Sequence, residues 1–451
     1  MNTTTTSVPI PPGPKGHFLL GSLPAYSRDP LKFMSDCART YGDVVYLTGL
    51  IPSYLLNHPD FIEEMLVTQH QYLLKSQLGI ITKPLLGNGL LLSEGDFWKQ
   101  QRHLIQPAFH RNRIVAYAKV MVDYTQQMLD TWQHGEIRNV HHEMMNLTLA
   151  IAAKTFFGST IESDVDAIDR AVKAMLNHFD RRSKNWLLFL LPDYVPTPEN
   201  LHFRHAIKQL DSVVYRLIQE RRSSGKETDD LLSMLLHMQA EDGTGMSDRQ
   251  VRDEVNTFLL AGHETTALTL SWAWYLLSKH PEIEAKLLAE LQTVLAGRLP
   301  TFADLPQLRY TEWIVLETMR LYPPVWGIVR TIAQDCEIAG YPVKAGHGLV
   351  ASPWVVHHDP RWFSEPDKFN PDRWDNDFAK HLPSFAYFPF GGGSRICIGK
   401  AFAMMEACLL LATIASTYRM RLVSEQPVEP WASLTLRPKQ AIKVLLESKG
   451  S

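Results

Sequence analysis

The sequence has 451 residues, of which 45% are hydrophobic and 21% are charged, and its formal net charge is −3. These values are typical of a soluble globular protein, and the near-neutral charge argues against a nucleic-acid-binding surface. Length alone suggests about three domains. The cysteines show neither a CxxC motif nor a zinc-ligand spacing, which favours a reducing cytosol; they are Cys37, Cys336, Cys397 and Cys408.

The first part of the chain predicts a tail, a helix and a pair of strands. Residues 1–10 are threonine-rich without a basic start or an apolar core, so we expect neither a signal peptide nor a membrane anchor. Residues 1–14 are expected to form a flexible tail that ends in a proline-rich hinge. A helical stretch over residues 30–41 precedes two alternating apolar runs, 44–47 and 53–57, which predict paired strands.

Two features follow in the first quarter of the chain. Residues 72–95 are leucine-rich and interrupted by glycine, which predicts an apolar loop. A loop of this length is often functional. Trp98 and Arg102 are then spaced i,i+4, which places both side chains on one helix face. Taken alone, this pair is typical of a cation–π or packing contact.

A long helix is predicted in the second half of the chain. Ser247 and Gln250 form a capping-box pattern, and the helical pattern then continues over residues 248–279, a length of roughly 48 Å. Its middle, residues 261–266, reads Ala-Gly-His-Glu-Thr-Thr. The Thr265 hydroxyl can bond back to the carbonyl one turn earlier and bend the helix there. In isolation, this hexamer is typical of a capped break or a polar helix face.

A charged pair lies on a later predicted helix. Glu317 and Arg320 are spaced i,i+3, and the helix ends before Pro323 and Pro324. Such a pair is normally an exposed salt bridge that contributes little to stability. Spacing alone therefore gives this pair no special role.

The stretch that is richest in chemistry covers residues 390–399, which read Phe-Gly-Gly-Gly-Ser-Arg-Ile-Cys-Ile-Gly. Cys397 lies in this glycine-rich loop, directly before an apolar, helix-forming run over residues 398–418. The dipole and the free N–H groups of a helix N-terminus favour the thiolate form of a cysteine. A lone thiolate suits haem iron better than zinc, which usually takes four protein ligands, or three and a water molecule.

Three other interpretations of this loop stay open when only its residues are considered. The first is a buried structural cysteine, the commonest state of a free cysteine. The second is a phosphate-binding loop, which requires Gly-x4-Gly-Lys-Ser/Thr, but Ala401 follows Lys400 and Ser394 lies at the first glycine position. The third is a catalytic nucleophile, which requires a histidine base that the loop does not supply.

The pattern Phe-x-x-Gly-x-Arg-x-Cys-x-Gly is met in full by Phe390, Gly393, Arg395, Cys397 and Gly399. It resembles the haem-binding signature of the cytochrome P450 family, and further patterns of this family recur in the family's order along nearly the whole chain. The resemblance implies a mainly α fold with a small β region and a single catalytic domain over all 451 residues. It also implies haem b, bound between the long central helix and the helix after the cysteine loop.

The resemblance assigns roles around this haem. Cys397 is the expected iron ligand. The other expected haem contacts include propionate-binding side chains and residues that pack on the porphyrin: Trp98, Arg102, Arg330, Arg395, Phe390, Gly399 and Ala261. Ala-Gly-x-Glu-Thr-Thr resembles the family's oxygen-activation motif, so Glu264 and Thr265 are the expected proton donors.

The resemblance also assigns structural and substrate-binding residues. Glu317 and Arg320 are expected to be a buried pair joined by Arg373 of the segment Pro-Asp-Arg-Trp, in which Trp374 replaces a more common Phe. This triad is expected to hold the loop that leads to the cysteine. The expected substrate contacts lie over the haem, and they are Leu78, Ile80, Ile81, Leu85, Val325 and Ile328.

The implied activity is a monooxygenase that inserts one atom of O2 into a C–H or C=C bond of a lipophilic molecule, such as a fatty acid, terpenoid, steroid or polyketide. Electrons are expected from NAD(P)H through a separate ferredoxin or flavodoxin-type partner and its reductase. Lys99, Arg395 and Lys400 are candidates for docking this acidic partner. The protein is expected to be a cytoplasmic monomer that binds no nucleic acid and has no membrane anchor.

Alternatives from other classes make different predictions. A haem-thiolate peroxygenase or isomerase uses peroxide or rearranges its substrate, and such relatives commonly lose the acid–threonine pair that is present here as Glu264 and Thr265. A haem-based sensor or carrier needs no proton relay. A structural helical protein would bind no cofactor and would be colourless when purified.

Overall fold

The computed structural model describes residues 10–75, 79–158, 164–185, 187–188, 191–225, 230–237 and 245–449. Most of this chain is helical, in agreement with the predicted fold class. The helices are α1 Leu23–Arg28, α2 Pro30–Tyr41, α3 Pro59–Glu63, α4 Gly79–Leu86, α5 Gly95–Ile105, α6 Arg111–Leu129, α7 Val140–Phe157, α8 Val165–Lys184, α9 Pro198–Ser224, α10 Leu231–His237, α11 Asp248–Lys279, α12 Pro281–Leu295, α13 Arg309–Leu321, α14 Pro353–His357, α15 Phe378–His381 and α16 Lys400–Thr417.

The strands are short and lie mostly at the two ends of the chain. They are β1 Val44–Leu47, β2 Ser53–Leu56, β3 Leu73–Lys75, β4 Ile137–Asn139, β5 Ile328–Ile332, β6 Cys336–Ile338, β7 Tyr341–Val343, β8 Gly348–Ala351, β9 Tyr418–Leu422, β10 Pro430–Ala432, β11 Leu436–Pro438 and β12 Lys443–Ser448. The largest sheet has the order β1-β2-β8-β5-β3, and β10 pairs with β11 as an antiparallel hairpin.

The central helix α11 has the predicted bounds and is 32 residues long. Its N-terminus is capped by Ser247, whose side chain accepts a hydrogen bond from the Gln250 N–H at 3.3 Å. Nearly every side chain from Val251 to Leu277 is buried, which is the pattern of a helix enclosed by others. It packs most extensively on α7, while α16 packs on α6.

The prediction of an apolar loop over residues 72–95 is wrong in part. This stretch contains strand β3, which pairs with β5, and helix α4, despite Pro84 inside that helix. Pairing of β3 depends on a strand more than two hundred residues later, so local composition could not reveal it. The second predicted strand ends at Leu56 rather than at residue 57.

The proline-rich part of the predicted flexible tail is held against strand β1. The Tyr46 N–H donates to the Pro12 carbonyl oxygen at 2.9 Å, and Pro11 is buried. Gly13 approaches the Tyr46 backbone so closely that a Cβ would overlap it. Pro11 and Gly13 are therefore packed against the protein, whereas Ile10 and Pro12 are exposed. Residues 1–9 of the predicted tail lie outside the described part of the chain.

Within the described residues, Lys400–Thr417 is the one helix that is long and apolar enough to cross a membrane. About two-thirds of it is buried inside the protein, 67% in all. It belongs to the main hydrophobic core through residues such as Phe402, Leu409 and Ile414. Its apolar composition is accounted for by this burial.

Candidate active site

An internal cavity of about 710 Å³ is lined by both the central helix and the cysteine loop. Cys397, Glu264 and Thr265 all contribute to this lining, although they are far apart in the sequence. The Cys397 side chain is accessible from the cavity. The fold thus brings the predicted metal ligand and the predicted proton donors to one site.

The cysteine loop depends on glycine at a close contact with the π-helical turn before β3. Gly393 has φ +63°, and a Cβ there would overlap the Leu66 carbonyl oxygen. The Cys397 N–H donates to the Phe390 carbonyl oxygen at 3.0 Å and closes the loop. Phe390 itself lines the cavity beside the cysteine. Gly393 is therefore required both by its left-handed backbone conformation and by this close contact.

Burial raises the pKa of the Cys397 thiol above its usual value, although the Gly399 N–H and the charges of Arg102 and Lys400 oppose this shift. The predicted effect of the helix N-terminus, which would favour the thiolate, is therefore outweighed by the effect of burial. Helix α16 begins only at Lys400, so its dipole acts on the sulfur mainly through one N–H. A bound metal ion deprotonates a coordinating thiol outright, so metal coordination would supply the thiolate.

Two cations face each other across the sheet edge that borders the cavity. Lys75 of β3 is directly opposite Arg330 of β5, and both side chains line the cavity. Like charges in opposed positions destabilise a sheet. Burial, together with the charges of Arg330 and Arg395, lowers the pKa of Lys75 to about 7, whereas Glu94 acts in the opposite direction. Burial also lowers the pKa of Arg330.

Trp98 lies between two more cations at the same end of the cavity. The Arg395 guanidinium is 3.8 Å from the centroid of the Trp98 ring, and that of Arg102 is 5.8 Å from it. Arg395 pairs with Glu94, and Arg102 donates to the Ile396 carbonyl oxygen at 3.0 Å. Burial lowers the pKa of Arg395 to about 10.

These residues fit an iron porphyrin that carries two propionates. Cys397 offers one sulfur ligand, and the described residues contain no group of three or more His, Cys, Asp and Glu side chains that could hold a bare metal ion. Ammonium and guanidinium groups are suitable donors to carboxylates. The site carries more positive charge than Glu94 can neutralise, from Lys75, Arg102, Arg330 and Arg395.

The middle of the central helix has the predicted back-bond. The Thr265 hydroxyl donates to the Ala261 carbonyl oxygen at 2.8 Å, and Ala261 lines the cavity. A Cβ on Gly262 would lie 2.8 Å from the Phe156 ring, so the missing side chain allows α7 to pack closely on α11.

Glu264 is almost entirely buried, with 1% of its surface exposed. Its Oε1 atom accepts hydrogen bonds from the Thr435 hydroxyl at 2.6 Å and from Arg437 Nε at 2.8 Å. Its Oε2 atom has no hydrogen-bond partner among the described residues. The acid of the acid–alcohol pair is therefore held through one oxygen only.

The predicted substrate contacts divide into three groups. Val325 and Ile328 line the cavity. Ile81 and Leu85 are buried but lie outside the described lining, and Leu85 packs in the main core. Leu78 and the side chain of Ile80 lie outside the described residues. The same segment instead contributes Leu86, Leu90, Leu91 and Leu92 to the cavity.

The predicted structural triad is assembled away from the cavity. Glu317 and Arg320 are fully buried, and Arg373 Nε donates to Glu317 Oε1 at 2.9 Å. Trp374 also donates through its indole N–H to Glu317 Oε2 at 2.9 Å. The replacement of Phe by Trp therefore adds a hydrogen bond to this carboxylate.

The cations suggested for partner docking differ in their accessibility. Lys400 is exposed, and Lys99 is exposed but pairs with Asp96 at 2.8 Å. Arg395 is turned towards Trp98 and Glu94 and lines the cavity. Arg395 therefore belongs to the anion-binding group rather than to an open docking surface.

Sequence reasoning missed several residues of the site, namely Lys75, Glu94, Thr435 and Arg437. Lys75 carried a usable signal, because it is an isolated charge in a leucine-rich segment. Thr435 and Arg437 carried no such signal, since they lie 171 and 173 residues after Glu264 in the chain.

A mainly helical fold with a cavity that joins one reachable thiol, an excess of buried cations and an acid–alcohol pair on a long helix defines a haem-thiolate protein. A family model described as Cytochrome P450 matches residues 11–446. The chain belongs to the cytochrome P450 family, a family of haem-thiolate monooxygenases.

Three bacterial relatives match this chain over most of their length. Cyclooctat-9-en-7-ol 5-monooxygenase from Streptomyces melanosporofaciens is 38% identical over 89% of this chain and 88% of the relative. Cyclooctatin synthase from the same organism is 37% identical over 94% of this chain and 92% of the relative. Pentalenene oxygenase from Streptomyces avermitilis is 33% identical over 94% of both chains.

Proposed function

We propose that this cytochrome P450 hydroxylates a lipophilic molecule of the terpenoid class. In this reaction, the substrate C–H bond, O2, two electrons and two protons give an alcohol and water. The observation that carries the proposal is the shared lining of one cavity. Cys397, Glu264 and Thr265 border the same space as a set of apolar side chains that includes Leu86, Leu90, Leu260, Val325, Ile328 and Leu434.

The bound haem, which we take to be haem b, would supply the redox chemistry of oxygen activation. Cys397 would hold its iron as a thiolate. The propionates would neutralise the buried cations Lys75, Arg102, Arg330 and Arg395. Thr265 would donate a proton from Oγ1, and the adjacent Glu264 would replace that proton from its free Oε2 atom. The apolar lining would keep bulk water away from the reacting atoms.

Two features support a terpenoid substrate. The names of two relatives specify cyclooctat-9-en-7-ol and pentalenene, both terpenoids. The cavity lining is largely apolar, with many leucine, isoleucine, valine and phenylalanine side chains. A compact apolar molecule would be held by shape and by burial of its surface.

The remaining proposals concern how the enzyme operates. Electrons would come from NAD(P)H through a separate ferredoxin or flavodoxin-type partner and its reductase, with the exposed Lys400 as a docking cation. We propose that the chain acts in the cytoplasm as a monomer with a single catalytic domain. The family's use of external electron donors supports the proposed supply of electrons by a separate partner.

The ligand assignment is tested by spectroscopy of the reduced protein under carbon monoxide. Wild type should show the red-shifted Soret band of thiolate ligation, and Cys397→Ser should lose it. The control is Cys408→Ser, at a buried cysteine on helix α16, and this variant should keep the red-shifted band. A normal spectrum in Cys397→Ser would overturn the assignment.

The substrate class is tested by adding cyclooctat-9-en-7-ol, pentalenene and lauric acid separately to the ferric protein. A terpenoid substrate should displace the iron-bound water and shift the spectrum from low to high spin, while lauric acid should not. Turnover with a surrogate ferredoxin, its reductase and NADPH should then yield an alcohol. A response to lauric acid alone would overturn the terpenoid assignment.

A further inference from the structure

The C-terminal hairpin β10–β11 contacts Glu264, the acid of the proposed proton relay. Thr435 and Arg437 both bind Glu264 through its Oε1 atom, with the Arg437 Nη2 at 2.7 Å in addition to its Nε at 2.8 Å. The Arg437 side chain is 20% exposed and that of Glu264 is 1% exposed. This is a largely buried, charge-assisted contact, which is stronger than a hydrogen bond between neutral groups.

The hairpin is itself fixed to the core between these two contacts. Between Thr435 and Arg437, the buried Leu436 accepts a hydrogen bond from the Trp272 indole at 3.1 Å, and its N–H donates to the Pro324 carbonyl oxygen at 2.9 Å. Trp272 lies on the central helix two turns after Glu264. The donors therefore approach Glu264 from a rigid position rather than from a free loop.

The arrangement leaves the two carboxylate oxygens with different roles. All the donors found among the described residues meet Oε1, whereas the buried Oε2 meets none. A buried oxygen without a partner is energetically costly, so the hairpin contacts must compensate for it. The result is a carboxylate that is anchored at one oxygen and free to accept or release a proton at the other.

The tip of the same hairpin contributes to the cavity. Ala432, Ser433, Leu434 and Thr435 all belong to the lining. The Ser433 carbonyl oxygen accepts a hydrogen bond from the Trp326 indole at 2.8 Å. One short peptide thus both borders the substrate space and holds the acid.

The surroundings of Glu264 identify Arg437 as its positive partner. His141 and His263 are the other titratable groups that influence this region. Burial lowers the pKa of His141 to about 4, and burial also lowers the pKa of His263. Both imidazoles are therefore neutral near pH 7, and Arg437 supplies the positive charge that orients Glu264.

We propose that Thr435 and Arg437 are positioning residues for proton delivery, because they hold Glu264 by Oε1 and leave Oε2 without a donor among the described residues. The inference rests on the proposed relay role of Glu264. It predicts that loss of either donor impairs oxygen reduction only through Glu264, without changing the cysteine ligation of the haem.

The test uses full-length holoenzyme with NADPH, a surrogate ferredoxin and its reductase, and it needs no identified substrate. Oxygen consumption, peroxide yield and the solvent deuterium isotope effect are measured for Thr435→Val, Arg437→Gln, Arg437→Lys and Glu264→Gln. Lys439→Gln is the matched control, since this exposed residue on the same hairpin pairs with Glu429 instead. All variants are first checked for haem content and for the carbon monoxide spectrum.

We expect Glu264→Gln, Arg437→Gln and Thr435→Val each to slow proton-dependent oxygen reduction, by about tenfold for Arg437→Gln, with a larger isotope effect and more peroxide. Arg437→Lys should recover part of the loss, and Lys439→Gln should match wild type. In a Glu264→Gln background, Arg437→Gln should have little further effect, because its partner is already changed.

The outcomes separate this inference from the proposed function. If Glu264→Gln itself leaves the rate and the isotope effect unchanged, the relay role of Glu264 is wrong and the inference fails with it. If Glu264→Gln has its expected effect but Arg437→Gln and Thr435→Val do not, the relay stands and the positioning role is overturned. Equal effects of Arg437→Gln in both backgrounds would overturn it as well.

Discussion

Glu317 and Arg320 form a salt bridge that is completely hidden from solvent. Arg320 Nε and Nη2 each donate to a different oxygen of the Glu317 carboxylate at 2.9 Å, and neither side chain has measurable exposure. The remaining Arg320 donors reach the carbonyl oxygens of His357, Pro366 and Lys368. One helix thereby fixes the long irregular segment that leads to the cysteine loop.

We expect Glu317→Ala to destabilise the protein by about 3–5 kcal/mol, because it leaves the Arg320 charge buried without a partner. Urea denaturation measures the loss, and haem content should fall with it. Lys286→Ala is the control, since Lys286 forms an exposed pair with Asp372 at 2.8 Å and should cost less than about 1 kcal/mol. Equal losses for both variants would contradict the structural role of the buried pair.

Trp374→Phe tests the additional donor of this cluster. The substitution removes the indole N–H that binds Glu317 Oε2 at 2.9 Å. We expect a loss of about 1.5–3 kcal/mol in the free energy of unfolding, the range for a hydrogen bond to a charged group. Trp431→Phe, which removes an exposed indole bond to Asp180 at 3.3 Å, should change stability much less. No loss in Trp374→Phe would show that the indole contributes only through its volume.

Lys75→Met tests the anion-binding group. Removal of one of two directly opposed cations, Lys75 and Arg330, should stabilise the haem-free protein by about 1 kcal/mol and weaken haem retention. Thermal unfolding with and without haem, together with haem transfer to apomyoglobin, measures both effects. Lys83→Met, at an exposed position on α4, should change neither the stability of the haem-free protein nor haem retention. Unchanged haem retention in Lys75→Met would exclude Lys75 from propionate binding.

Glu406 makes stability depend on pH. Burial raises its pKa to about 8, although the Thr266 hydroxyl favours the charged form. An acid whose pKa is higher in the folded state keeps its proton there while the unfolded chain loses it. Stability should therefore fall as pH rises from the usual glutamate value of 4.5 to about 8, by up to about 1.4 kcal/mol per pH unit.

The measurement is urea denaturation across this pH range for wild type and Glu406→Gln. The substitution removes the titration, so the variant should show a flatter profile and higher relative stability at pH 8. The exposed Glu425→Gln should keep the wild-type slope. A Glu406→Gln profile that is parallel to that of wild type would show that Glu406 is ionised in the folded protein.

Gly393→Ala separates backbone strain from steric overlap in the cysteine loop. Gly393 combines φ +63° with a contact that a Cβ would overlap, at the Leu66 carbonyl. Gly340 has φ +77° but no atom within 4 Å of a Cβ position. Gly340→Ala should cost only the left-handed strain, about 1–2 kcal/mol. Gly393→Ala should cost more and also lose the thiolate spectrum; equal costs with normal spectra would contradict the overlap.

The sequence by itself determined the elements whose signals are local. The bounds of the central helix followed from its cap at Ser247 and from 32 residues of unbroken helical pattern. The cysteine loop followed from a motif that combines glycine with a single cysteine as the candidate thiolate ligand. These features depend on residues that are neighbours in the chain, so the sequence alone could predict them.

Only the tertiary structure decided which distant residues share the site. The pairing of β3 with β5 places Lys75 opposite Arg330, and the C-terminal hairpin brings Arg437 to Glu264. It also brought Leu86, rather than the predicted Leu85, to the cavity lining, although both side chains belong to the main core. Strand register and helix rotation are selected by burial across the whole molecule, and a shift of one residue reverses which side chain faces the site.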